Sequence, residues 1–212
     1  MSAVPSAVHR AIVWVDVAGF ADPSRTGSDR QVVRQRLYDV LRRAFIRSGI
    51  SWDGDECYHE DRGDGAFVLV APDIPKSRLA VRLPRELVAA LEDHNRSCAA
   101  GARIRRRAAL HAGEVRFDAN GADGRALIVA HRLLDSDALK SALRDSPGVL
   151  ALVASQWFFE EVMCQDPAAD PGAYPAGSGA GEGDQRHGVA VAARAWRTFP
   201  HRSPATGRVW CR

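Results

Sequence analysis

Apolar and polar positions alternate along this chain with periods that change from segment to segment. Ala11-Ile12-Val13-Trp14-Val15 is an unbroken, β-branched apolar run closing on Asp16, which predicts a central strand buried on both faces. From about Asp29 to Arg47 the apolar positions Val33, Leu37, Val40, Leu41, Ala44 and Phe45 recur at helical spacing, with arginines between them. That pattern predicts an amphipathic helix. Ser51 to Asp61 reads as a polar strand and Ala66 to Val70 as an apolar one, joined through the hairpin signal Gly63-Asp64-Gly65. A second helix is expected from Pro84 to Asn95, with a less regular lead-in from Lys76, and another strand from Arg103 to Val115. A turn at Asp118-Ala119-Asn120-Gly121 follows, then a helix opened by Gly124 and running through Leu139, a strand from Val149 to Val153 and a short helix from Gln156 to Met163.

Composition changes after that point. Residues 165–188 are rich in Pro, Gly, Ala and Asp, too poor in apolar surface to order themselves, and predict a mobile loop. Val189-Ala190-Val191 and Ala193 to Phe199 offer closing strands, and 200–212 form a tail. The order β-α-β-β-α-β with further pieces predicts an α+β fold, a ferredoxin-like βαββαβ sandwich with a C-terminal α/β extension, as one domain over 8–199. In that topology the first strand lies beside the apolar hairpin strand, which brings Asp16 and Asp64 together.

A chain of 212 residues buries about 70% of its unfolded surface without staples. Cys57, Cys98, Cys164 and Cys211 show neither zinc-site nor disulfide-framework spacing, so free thiols are expected. No stretch has the length of a membrane span and the N-terminus lacks a secretory pattern, which predicts a cytoplasmic protein without a membrane partner. The net charge of +3 is small. Its one concentration, Arg103 to Arg107, has no interleaved aromatics and predicts a solvated face rather than a nucleic-acid footprint. Trp14, Trp157 and Trp196 are expected in the core, and His111 as a hydrogen-bonded core or rim residue.

Two acidic turns carry the candidate chemistry. Asp16 in Val15-Asp16-Val17-Ala18-Gly19-Phe20 and Asp64 in Arg62-Gly63-Asp64-Gly65 each set a carboxylate beside glycine, where backbone approaches a phosphate closely and an oxygen ligand faces a hard cation. Taken singly, either is more often a turn or capping residue. On neighbouring strands they would make a metal–triphosphate platform, with the amides of Val17, Ala18, Gly19 and Phe20 as a cradle for the β- and γ-phosphates.

These two turns, with Leu110-His111-Ala112-Gly113 and Val129-Ala130-His131-Arg132-Leu133 in the same order, resemble the catalytic domain of the class III adenylyl and guanylyl cyclases, and among them the compact bacterial cyclases of antiphage signalling. The resemblance implies attack of a nucleoside triphosphate's 3′-hydroxyl on its own α-phosphorus, with two Mg²⁺ or Mn²⁺ ions at Asp16, Val17 and Asp64. It also implies a head-to-tail homodimer in which Arg132 serves the partner's nucleotide. Gly63 and the Ala18-Gly19-Phe20 turn would lie against that nucleotide. Where the family has a ribose-orienting asparagine this chain has Ile128, and the family's late lysine has no direct counterpart, Arg194 being the nearest cation and Arg116 an alternative phosphate contact. Glu60 falls at the family's base-reading position, with Tyr58 on the same strand face, which favours guanine or a pyrimidine over adenine. Two further readings are a cyclase-derived nucleotide sensor or docking module without turnover, and an RNA-binding ferredoxin-like domain, which would lack its paired stacking aromatics.

Overall fold

A computed structural model describes residues 6–174 and 192–196, the latter as backbone only. The strands are β1 (Val8–Val17), β2 (Cys57–Asp61), β3 (Gly65–Val70), β4 (Arg106–Asp118), β5 (Gly121–Asp123), β6 (Leu150–Ala154) and β7 (Ala192–Trp196). Their order in the sheet is β2-β3-β1-β4-β6-β7, with β5 folded back on β4. β1 is central and antiparallel to both β3 and β4, while β6 runs parallel to β4. This is the α+β, ferredoxin-like arrangement with a C-terminal extension.

The longer helices are α1 (Gly27–Arg47), α2 (Leu83–Ser97), α3 (Arg125–Leu134) and α4 (Asp137–Arg144), and a short α-turn Gln156–Phe158 runs on into a π-turn Phe159–Met163. One sheet face carries Val13, Val15, Val68 and Leu110 against Leu37, Leu41 and Phe45 of α1 and Leu87 and Leu91 of α2. The alternate residues Ile12, Trp14, Phe67 and Ala109 face Leu127, Ala130 and Leu133 of α3 and Leu139 and Leu143 of α4. Strand alternation with period two therefore builds two separate cores on one sheet. α1 starts two residues earlier than expected because Thr26 and Asp29 form a reciprocal capping box.

Several expectations are corrected. The helix after Gly124 is two helices: Ser136 adopts extended backbone and its hydroxyl caps α4, which breaks the run after Leu134. Only Cys57–Asp61 of the 51–61 segment is strand. The arginine-rich stretch is not a solvated face, because Arg106 has 0% exposure and donates to the Leu37 carbonyl at 2.9 Å. Burial holds its pKa down toward about 9. Trp157 is 45% exposed rather than core. Cys57 and Cys98 are free thiols, whereas Cys164 is disulfide-bonded.

Of the segment expected as a mobile loop, 165–174 makes two short 3₁₀ turns and buries Ala169 and Tyr174 in the α1/α2 core. Residues 175–191 and 197–212, which hold the rest of that loop, part of the closing strands and the tail, lie outside the described residues. Among the described residues no helix is long and apolar enough to cross a membrane.

Candidate active site

Asp16 is the last but one residue of β1, and its Cα partners are Gly65 on β3 and Arg107 on β4. Gly65 is required there: a Cβ would sit 2.3 Å from the Val15 carbonyl oxygen. The close approach ties the two acidic turns together, since the Val17 amide donates to the Asp64 carbonyl at 2.9 Å. Asp16 is 9% exposed. Burial raises its pKa above the usual carboxylate value, the Arg107 guanidinium opposes this, and the nearby negative charge of Asp64 adds to the rise. The two carboxylates are thus near enough to repel.

Arg107 grips Asp16 through both oxygens, Nε to Oδ1 at 2.9 Å and Nη2 to Oδ2. An opposite-charge pair facing across neighbouring strands follows directly from the register. Asp64 is exposed at the hairpin tip. Beside it the Gly63 carbonyl accepts from Arg34 at 2.7 Å and the Gly63 amide donates to Asp61 at 2.8 Å. Among the described residues no three His, Cys, Asp or Glu side chains gather as a metal cluster. Mg²⁺ is commonly held by one or two carboxylates with substrate phosphates completing the shell; Asp16 and Asp64 are carboxylates of that kind at this end of the sheet, and both Asp16 oxygens are taken by Arg107.

The expected phosphate cradle is partly committed within the chain. Val17 donates to Asp64, and Ala18 donates to the Arg105 carbonyl at 2.9 Å, which leaves the Gly19 and Phe20 amides. A loop through Thr26 separates this turn from α1, so the helix N-terminus does not back it. Arg25 braces the loop, donating to the carbonyls of Gly19, Gly101 and Arg103 at 3.0, 2.9 and 2.9 Å.

On the α3/α4 face, Glu60 Oε1 accepts from the Tyr58 hydroxyl at 2.8 Å and the Ala122 amide at 2.9 Å, and Oε2 pairs with Arg62 at 3.0 Å. A Cβ on Gly121, whose φ is +124°, would meet Glu60 Oε1 at 2.6 Å. Glu60 therefore clasps the β5 turn to the β2–β3 hairpin. Tyr58 lies edge-on to Phe117, and burial with the Glu60 charge raises its pKa. Arg62 lies over the Phe67 ring, 4.9 Å from its centroid.

Arg132 is exposed on α3 next to His131, whose ring meets Trp14 edge-on at 5.0 Å. Ile128, one turn earlier, is 53% exposed. Arg116 lies opposite Asp123 at the far end of β4 from Arg107, nine residues along the strand, so the structure does not bring it to Asp16 of the same protomer. Arg194 pairs with Leu152 on β7 as backbone, and its side chain lies outside the described atoms. His111 is a rim residue, its Nδ1 2.9 Å from the Ser155 hydroxyl.

Sequence reasoning missed Arg107. The one local hint was arginine entering the otherwise apolar run Arg106 to Leu110, where a merely solvated face would show strict alternation. Arg25, Lys140 and Arg144, which line the same end of the sheet, carry no sequence signal, whereas Arg105 belongs to the arginine concentration noted in the sequence.

No family model matches the chain, and no curated protein matches it. Solved structures do match in fold. The adenylate/guanylate cyclase/hydrolase from Silicibacter pomeroyi superposes with a TM-score of 0.56 at 17% identity, over 89% of this chain and 95% of that one. The guanylyl cyclase Cya2 gives 0.54 at 15% identity, over 74% and 80%. A bacterial light-regulated adenylyl cyclase gives 0.52 at 17% identity over 72% of this chain, which spans 45% of that longer protein.

Proposed function

We propose that this chain, which has the fold of a class III nucleotidyl cyclase catalytic domain, is a nucleotide cyclase acting in second-messenger signalling. It converts a nucleoside triphosphate to a 3′,5′-cyclic nucleotide and pyrophosphate as a homodimer. The observation that carries this reading is the meeting of Asp16 and Asp64 at one sheet end, close enough for one charge to shift the other's proton affinity.

In this reading Asp16, Asp64 and the Val17 carbonyl hold Mg²⁺ or Mn²⁺, two ions. When bound, such ions lower the pKa of the attacking hydroxyl and offset the charge of the phosphates. The O3′–Pα bond forms as the bond from Pα to the pyrophosphate oxygen breaks, and the hydroxyl proton leaves to solvent. Gly19 and Phe20 amides steady the departing pyrophosphate. Arg132 of one protomer donates to the partner's α-phosphate as charge develops there, a contribution of about 2.7–4 kcal/mol for a preorganised donor. Glu60 and Tyr58 read the base, favouring guanine or a pyrimidine, which requires the base to displace the Tyr58 and Arg62 contacts of Glu60, with Arg194 as the late cation.

Incubating the protein with each of the four ribonucleoside triphosphates and Mn²⁺, with mass spectrometry of the products, tests the reading. A cyclic product is expected from at least one; none from any of the four overturns it. Mixing Arg132→Ala with Asp64→Asn should restore part of the activity each lacks, because one of the two shared sites is then intact.

A second reading, a nucleotide-sensing module without turnover, is favoured by Ile128 at the ribose position and by the Arg107 clasp on both Asp16 oxygens. It predicts metal-dependent nucleotide binding with no product.

A further inference from the structure

Residues 72–77, which follow β3, and the turn over 157–166 enclose a groove of about 570 Å³. It lies at the end of the sheet away from Asp16, since β3 meets β1 at Gly65 opposite Asp16 and at Val70 opposite Ala11. Three carboxylates, Asp73, Glu161 and Asp166, line the groove against one cation, Lys76, and Trp157 stands exposed beside them. Among the described residues neither Asp73 nor Glu161 has an ion-pair partner. An acidic concave surface with an exposed indole suits a cationic segment, through charge and through cation–π contact. Cys164 sits in the same wall, between the lining residues Val162 and Gln165, and is disulfide-bonded. The chain has four cysteines, of which Cys57 and Cys98 are free thiols, and this leaves Cys211. Residues 197–212 follow β7 and hold Arg197, Arg202, Arg208 and Arg212 with no acidic residue, and Trp210 precedes Cys211. Trp196 pairs with Leu150 at the start of β6, so the strand and the turns after it put Cys164 within about 40 Å of Trp196. Extended chain from Trp196 to Cys211 spans up to about 50 Å, which is enough.

We propose that residues 208–212 of this chain dock in the groove, with Cys211 bonded to Cys164, Trp210 beside Trp157, and Arg208 and Arg212 facing Asp73, Glu161 and Asp166. A disulfide holds its two Cα atoms about 4.4–6.8 Å apart and the next residues follow at about 3.8 Å, so residues 210 and 212 meet the groove wall once the bond is made. The bond forms by exchange. Cys164 first gives a mixed disulfide with an oxidised small thiol such as glutathione disulfide, releasing one small thiol; the Cys211 thiolate then attacks the Cys164 sulfur and displaces the other. Two protein thiols thereby lose two electrons and two protons to one small-molecule disulfide. The closed loop contains the edge strand β7 and holds it against β6. The groove and the two acidic turns occupy opposite ends of the sheet, so the clasp stands whether or not the protein is a cyclase.

The bond is tested by tryptic mapping of the full chain, purified without reductant, by mass spectrometry. A linked pair of peptides holding Cys164 and Cys211 is expected, and it should disappear on treatment with a water-soluble phosphine. Cys164 found as a free thiol, or linked to a second copy of the chain, overturns the clasp. Cys211→Ser should leave Cys164 as a free thiol and lower the melting temperature by about 5 °C or more, because the loop that contains β7 opens. An unchanged melting temperature overturns the hold on β7.

Docking is read from the thiol–disulfide equilibrium of the full chain against glutathione, which reports the effective concentration of Cys211 at Cys164. Asp73→Asn with Glu161→Gln, Arg208→Gln with Arg212→Gln, and Trp157→Ala should each shift that equilibrium toward the thiols by about threefold or more, the scale of losing exposed ion pairs or a cation–π contact. The two charge-removing pairs should also lose the salt dependence that the parent shows. Asp73, Glu161 and Trp157 are exposed, so these changes leave the core intact. Asp39→Asn, a change of exposed charge on α1, should leave the equilibrium within about twofold. An equilibrium that none of the three groove and tail variants moves overturns the docking surface, even where the disulfide itself is found.

Discussion

The two faces of the sheet are built from alternate residues of the same strands, yet they differ in kind. Among the described residues the α1/α2 face is apolar along its length, and its one charged intruder, Arg106, is sealed within it with Nε and Nη1 unpartnered. The α3/α4 face is apolar only at its centre, around Ile12, Trp14, Phe67 and Ala109, and ends in Asp16, Arg107, Arg62 and Glu60. One face is organised for burial. The other uses a small apolar core to hold charge at its rim, and that rim is where the cyclase reading puts its chemistry.

The sharpest way to separate the faces is to neutralise the rim. Asp16→Asn or Asp64→Asn should reduce cyclisation by at least about a hundredfold, the scale of losing one preorganised charge-stabilising group. Asp16→Asn should melt no lower than the parent at neutral pH, because burial makes the ionised carboxylate the disfavoured form in the folded state. A melting temperature that drops with activity would show Asp16 to be chiefly a structural partner of Arg107.

The opposite outcome is expected from the apolar face. Leu41→Ala should cost about 2–5 kcal/mol in urea denaturation, with activity per folded molecule unchanged. Loss of activity without loss of stability would erase the distinction between the faces.

His111 sharpens the comparison through pH. Burial first, and the His9 charge second, depress its pKa from 6.5 to about 4, so the unfolded chain binds the extra proton in that interval. Stability should therefore rise with pH from about 4 to 6.5 and fall on acidification across the same window, by on the order of 3 kcal/mol. His111→Gln should flatten that profile in denaturation series run at stepped pH.

The smallest effect is expected at Arg106. Replacing it with Met removes unpartnered buried donors and should stabilise the protein by about 1–3 kcal/mol, read as a higher urea midpoint. Destabilisation would mean that its charge, which the buried Asp16 carboxylate favours, holds the two faces together.

Much of this was legible in the chain. The amphipathic spacing of Val33, Leu37, Leu41 and Phe45 marks α1, and Gly63-Asp64-Gly65 marks the hairpin, because both patterns report contacts between residues a few positions apart. The helix break at Ser136 is not legible in the pattern, since capping by one hydroxyl competes with helix periodicity on nearly equal terms. Trp157 was misplaced because a tryptophan's type says little about its exposure at an element's edge.

By itself the sequence determined the central strands, the amphipathic helix α1 and the position of two acids at the ends of apolar runs, all consequences of local period and turn chemistry. Only the tertiary structure decided that Asp16 meets Arg107, 91 residues away, and that Arg25, Arg103, Lys140 and Arg144 crowd one cavity. The physical reason is register: a shift of β4 by one residue against β1 would turn Arg107 to the other face, and no local pattern records which register packs.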